Sequence, residues 1–164
     1  MFKILAMSCT EESMNSLLNE LQNSPDCRFQ FDYLSEKKPN PFEWKCLLEG
    51  LQGSIYEGGF YMVKIIFPTN YPNSRPEVYF LNKILHPHVS STGRCCIVPL
   101  QNDIISVMKT VENMFMDFNM NLDHSYSNEA SELLKESKEK FIEKAKEYVK
   151  DFAKIEDLDD FYDL

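Results

Sequence analysis

The side chains best suited to chemistry lie between His86 and Leu100, where the chain reads His86-Pro87-His88-Val89-Ser90-Ser91-Thr92-Gly93-Arg94-Cys95-Cys96-Ile97-Val98-Pro99-Leu100. A Pro after a His, a run of small polar residues and a turn Gly make this a loop, with no stretch long enough for a helix. It ends on two adjacent thiols before an apolar exit. Thiolate is both a nucleophile and a metal ligand. His86, His88, Cys95 and Cys96 suit a tetrahedral zinc site poorly, because structural sites space their cysteines as C-x₂₋₄-C. A Cys/His hydrolase needs an orienting third group, and no sequence pattern supplies one. A polar loop that presents Cys to its surroundings is a candidate nucleophile site, but the loop alone does not choose between its two thiols.

The elements around the loop must position it. Ser8 to Asn23 carries a helix signal, with Ser8 or Thr10 as cap, Glu11 and Glu12 in the first turn, and Met14, Leu17, Leu18 and Leu21 at helical spacing. Arg28–Leu34 alternates apolar and polar residues, and Phe42–Glu49, Phe60–Phe67 and Glu77–Leu81 read as three further strands. Tight turns and the proline-rich stretch Pro68–Pro76 join them without intervening helices, which predicts an antiparallel meander. After the loop the period changes. Ile104 to Phe115 reads as a largely buried helix, Asp117 to Asn128 as a polar loop, and Asn128–Lys135 and Ser137–Lys154 as two more helices. The fold class expected is α+β: one N-terminal helix, a four-stranded antiparallel meander, the loop, then three helices.

Composition bounds the rest. A chain of 164 residues with 43% hydrophobic content is expected to form one globular domain, assigned to residues 1–154, with an acidic tail over 155–164. That tail carries Glu156, Asp157, Asp159, Asp160 and Asp163 with no base, and its Ile155, Leu158, Phe161, Tyr162 and Leu164 make a docking peptide conceivable. A net charge of −9 argues against nucleic acid or an anionic membrane as the main partner. No apolar run approaches the roughly 20 residues of a membrane span, and Met1–Met7 makes a poor signal peptide. The five cysteines are odd in number and irregular in spacing, which points to a reducing compartment, cytoplasm or nucleus.

Three spaced motifs carry a resemblance. Tyr56-Glu57-Gly58-Gly59-Phe60, then Phe67-Pro68-Thr69-Asn70-Tyr71-Pro72 with Pro76, then His86-Pro87 with Gly93 through Cys96 stand in the order seen in ubiquitin-conjugating enzymes, and the chain resembles that family over roughly residues 10–153. The family's loop usually reads His-Pro-Asn, with the nucleophilic Cys eight residues after the Asn; counted from His88, this selects Cys96. The resemblance implies a relay. An activating enzyme spends ATP upstream, so no cofactor is expected here, and hands ubiquitin or a ubiquitin-like modifier to Cys96 as a thioester. The modifier then passes to a ligase or to an amine of a protein substrate.

The same resemblance assigns roles and departures. His88 stands in place of the Asn whose amide serves the oxyanion or holds the loop, and a neutral imidazole offers one N–H in partial substitution. His at this position also occurs in a branch of the family that modifies protein N-termini. Asp123 and His124 fall where members carry an acidic gate that orients or deprotonates the incoming amine. His86 is expected to brace the loop, and Cys95 to act as a small apolar residue. Val98 replaces a polar residue and is expected to give Cys96 a more apolar setting. Asn73 stands where many members have a ligase-contacting Phe, and Asn102 lies in a shortened segment that lacks the family's Trp. Both are candidate partner-binding positions. Two alternatives stay open: a conjugating enzyme for a ubiquitin-like modifier, and a non-catalytic scaffold of the same fold.

Overall fold

In a computed structural model the described residues are 9–117 and 125–159. Helix α1 (Glu11–Asn23) starts at a capping box in which Thr10 Oγ1 accepts from the Ser13 N–H at 3.2 Å and Ser13 Oγ accepts from the Thr10 N–H at 3.0 Å. Met14, Leu18 and Leu21 share one face of α1 and are buried. Four strands follow: β1 (Gln30–Tyr33), β2 (Glu43–Glu49), β3 (Phe60–Ile66) and β4 (Glu77–Phe80). They pair in sequence order as an antiparallel meander. The family-like order of elements expected from the sequence is therefore the order found.

Register decides which residues make the core. Trp44 faces Ile65, Cys46 faces Val63 and Leu48 faces Tyr61 across β2 and β3. Period-two alternation puts all six on one face, and all six are buried in the main core. Phe67 stacks edge-on against Trp44 at 4.5 Å and against Tyr71 at 5.0 Å. The Tyr71 hydroxyl then accepts the Ile104 N–H at 3.1 Å. The proline-rich segment thus fixes the start of helix α2 (Ile104–Asn113), which Asp103 also caps through the Ser106 N–H. Past α2, Phe115 packs on Tyr56 and Tyr61 at 5.5 and 5.2 Å. This aromatic cluster is the floor beneath the thiol-bearing loop.

Helices α3 (Asn128–Glu136) and α4 (Lys138–Phe152) are separated by Ser137, whose extended backbone ends one and whose side chain caps the other. Asn82 then staples the C-terminal end of α4 to the sheet. Its amide donates to the carbonyls of Phe60 and Phe152 at 2.8 and 3.0 Å, and its Oδ1 accepts the Met62 N–H. The acidic end does not begin as a solvated tail: Ile155–Leu158 forms a 3₁₀ turn packed on β3, with Leu158 only 1% exposed. Leu158 and Met62 are both buried yet stand outside the main core, and alternation places Met62 on the sheet face opposite Tyr61 and Val63. Phe161, Tyr162 and Leu164 lie outside the described residues. Among the described residues no helix is long and apolar enough to cross a membrane.

Candidate active site

The loop hangs from a buried histidine. His86 is fully buried; its Nδ1 accepts the His88 N–H at 3.0 Å, so its Nε2 carries the proton and donates to the Met114 carbonyl at 2.9 Å. Burial drives its pKa down to about 4, against the smaller opposing pull of the Met114 carbonyl. The ring is therefore a neutral peg between the loop and the end of α2. Tyr56 supports it from below at 5.7 Å, and the Tyr56 hydroxyl donates to the Leu85 carbonyl at 2.8 Å. The bracing role expected for His86 matches this geometry.

From that peg the chain forms a short hairpin that the sequence does not announce. The Cys96 N–H donates to the His88 carbonyl at 2.8 Å, the Ser90 N–H to the Arg94 carbonyl at 2.9 Å, and Val89 bridges Cys95. The second arm also zips onto β4, since the Phe80 N–H meets the Gly93 carbonyl at 2.8 Å and the Cys95 N–H meets the Val78 carbonyl at 2.9 Å. Gly93 makes this approach possible. Its φ is +82°, and a Cβ there would stand 2.2 Å from the Phe80 carbonyl oxygen.

Alternation along that arm separates the two thiols. Cys95 and Ile97 turn inward, and Cys95 Sγ lies 3.3 Å from Met114 Sδ. Burial pushes the Cys95 thiol up to about 12, with the adjacent Cys96 adding to the shift. It stays a neutral thiol packed like a small apolar residue. Arg94, Cys96 and Val98 turn the other way, and Val98 is 83% exposed. The apolar cover expected from Val98 is thus not formed: its place in the alternation carries it out into solvent rather than over the sulfur.

A residue that sequence reasoning missed stands beside Cys96. The segment Ser125–Ser127 clamps to the carbonyl of Pro87 through the Tyr126 N–H at 2.8 Å, the Ser127 N–H at 3.3 Å and the Ser125 hydroxyl at 3.2 Å. Tyr126 is half exposed there, and the neighbouring Cys96 raises its phenol above the usual tyrosine range. The only signal in the sequence was an aromatic residue late in a polar loop that also holds Phe118.

The remaining expected residues divide. His88 meets Cys96 through its backbone carbonyl, while its ring stacks on His86 at 5.6 Å and 19°. Partial burial lowers the His88 pKa, and the charge of Asp117 opposes that. Asp123 and His124 lie outside the described residues. Asn73 and Asn102 come together, the Asn102 amide donating to the Asn73 carbonyl at 2.8 Å. They line one groove with Arg75, Arg94 and Ile97. Beside it Arg94 pairs with Glu77 at 2.7 Å. Among the described residues no group of three or more His, Cys, Asp or Glu is placed to hold a metal ion.

Comparison with known proteins adds an independent line. The family model described as ubiquitin-conjugating enzyme matches residues 11–149. A protein of Arabidopsis thaliana named ubiquitin-conjugating enzyme E2 7 is 41% identical over 88 residues, covering 52% of this chain and 53% of its own. Ubiquitin-conjugating enzyme E2 13 of Schizosaccharomyces pombe is 33% identical over 116 residues, covering 67% of this chain and 77% of its own. Against several of the curated relatives it matches, the chain spans about half of their length. A solved ubiquitin conjugating enzyme domain from Toxoplasma gondii superposes with a TM-score of 0.73 at 25% identity, covering 87% of this chain and 99% of its own.

Proposed function

We propose, since this chain belongs to the ubiquitin-conjugating enzyme family, that Cys96 accepts ubiquitin as a thioester from an activating enzyme and passes it to a substrate amine or to a ligase. The single observation that carries this reading is the hairpin that turns Cys95 against Met114 and leaves Cys96 on the opposite side of the arm. On charging, the Cys96 thiolate attacks the incoming thioester carbonyl, a new C–S bond forms, and the activating enzyme's thiolate leaves. Thioester exchange is nearly balanced in energy and needs orientation more than activation. No cofactor is required at this step, because ATP is consumed upstream.

On discharge an amine attacks the same carbonyl and an oxyanion develops. His88, partly buried and shifted toward its neutral form, is assigned one N–H for this charge, in place of an amide. Asp123 and His124 are assigned to the incoming amine. Asn73 and Asn102, joined across the groove, are assigned to the ligase-facing surface, with Val98 and Leu100 as exposed apolar neighbours. That surface differs from the family's usual residues, which favours a changed ligase set or a ubiquitin-like modifier as the second reading.

One assay tests the proposal. The protein is incubated with activating enzyme, ATP and ubiquitin, or each ubiquitin-like modifier in turn, and run on a non-reducing gel. A thiol-sensitive adduct lost in Cys96→Ser and kept in Cys95→Ser is the expected result. No adduct with any modifier overturns the catalytic reading and leaves the non-catalytic scaffold.

A further inference from the structure

Of the chain's seventeen Lys and Arg residues only Arg28, Arg75 and Arg94 are arginines. Two of these three meet in one place. Arg75 and Arg94 line a groove of about 420 Å³ with Asn73, Ser74, Ile97 and Asn102, and no lysine lines it. Its walls are held by bonds of the chain itself. The Asn70 amide donates to the Ser74 hydroxyl at 2.9 Å, the Asn73 N–H donates to the Asn70 carbonyl at 2.8 Å, and Pro76, next after Arg75, is buried. Across the groove the Asn102 amide holds the Asn73 carbonyl. Arg94 rides on the arm that the Cys95 N–H pins to the Val78 carbonyl. Both guanidinium groups therefore start from fixed backbone.

The geometry points to this groove as a seat for the carboxylate of an acidic side chain on the ligase, with Arg75 as its main partner and Arg94 beside it. The assignment rests on the ligase-facing reading of Asn73 and Asn102 above. Charge in the groove is unbalanced. Glu77 is the one acid among the described residues that line it, and its carboxylate is taken twice, by Arg94 at 2.7 Å and by the Tyr79 hydroxyl at 2.7 Å. Arg75 makes no ion pair among the described residues, whereas Arg28, outside the groove, is paired with Glu112. A guanidinium is a rigid fork of N–H donors that grips a carboxylate in a bidentate way, which an ammonium does not. One open guanidinium and a second shared with Glu77 match a single negative charge, while a phosphate dianion would also meet repulsion from Glu77. Arg94 and Cys96 lie two residues apart on the same side of the extended arm, about 7 Å along the chain. An acidic side chain seated on Arg94 thus brings its owner beside the thiol.

With three arginines in the chain, the Nε–H region of an NMR spectrum of the full, arginine-labelled protein holds three signals to follow. The probe is a blocked peptide, acetyl-Gly-Glu-Glu-Gly-amide, titrated at constant ionic strength beside its Gln-Gln counterpart and inorganic phosphate. The expected result is a saturable shift of the Arg75 and Arg94 signals with the Glu peptide, no shift of Arg28, and no response to the Gln peptide. Arg75→Gln should bind the Glu peptide about tenfold more weakly, the size of a lost charge-assisted pair, with an unchanged melting temperature. Arg75→Lys should restore only part of that loss, since it returns the charge without the fork. Equal shifts of all three arginines overturn the seat, because they show general screening of surface charge. Wild-type affinity in Arg75→Gln overturns it too, as does phosphate bound more tightly than the Glu peptide. The thioester gel runs in parallel. If no modifier charges Cys96 while the peptide binds as expected, the transfer reaction fails and the carboxylate seat stands. If Cys96 charges and the peptide does not bind, the seat fails and the transfer reaction stands.

Discussion

At the scale of single residues, His86 shows how a group that never touches substrate controls the site. Its neutral ring joins the loop to Met114, and its pKa is lowered to about 4 from the ordinary 6.5. The unfolded chain therefore binds a proton at higher pH than the folded one. This contribution is intact above pH 6.5 and is lost as the pH falls from there toward 4. The shift corresponds to about 3 kcal/mol in full. Urea midpoints at pH 7.5 and 4.5 should show this loss, and His86→Gln should flatten the difference while lowering stability at pH 7.5. An equal pH dependence in wild type and variant removes the idea. The loop-bracing role of His86 was legible from its place in the motif. Its partner was not, because the Met114 carbonyl lies 28 residues away and backbone acceptors leave no mark on sequence.

At the scale of elements, the hairpin of His88–Cys96 gives a count its geometry. The spacing from His88 selects Cys96, and in the extended arm alternation turns its side chain away from that of Cys95. Strands β2 and β3 and helix α2 were readable because their apolar periods are two and about 3.6 over seven residues or more. The hairpin was not, since its arms are short and polar and its register comes from pairing with β4. Gly93 is the hinge of that register. Gly93→Ala asks a side chain to occupy φ +82° and to stand 2.2 Å from the Phe80 carbonyl. Relieving this must break the Phe80–Gly93 bond and loosen the arm. The variant should lose about 2 to 4 kcal/mol of stability and charge Cys96 at least tenfold more slowly, measured by thermal unfolding and by the thioester gel. Charging at the wild-type rate would show that the hairpin does not position the thiol.

At the scale of the whole molecule, the acidic C-terminal segment combines packing with charge, and a truncation would confuse the two. In the sequence, residues 155–164 read as one charged tail because five acids dominate it, and nothing in that pattern marks Leu158 as buried. The fold divides them: Ile155–Leu158 closes on β3 while Asp159 is exposed. Deleting the whole segment removes charge that a basic ligase surface would feel, and also removes the burial of Leu158. Leu158→Ala in the full chain separates the two effects, because every acid remains. It should lower unfolding stability by about 2 to 3 kcal/mol, the lower part of the range for truncating a buried Leu. Ligase affinity and its salt dependence should then match wild type at temperatures where the variant stays folded, since surface charge attraction depends on the acids. A Leu158→Ala protein as stable as wild type would place the segment's packing outside the fold's stability. A variant that instead binds ligase as poorly as the 155–164 deletion would show that the packed turn, and not the tail's charge, makes the contact.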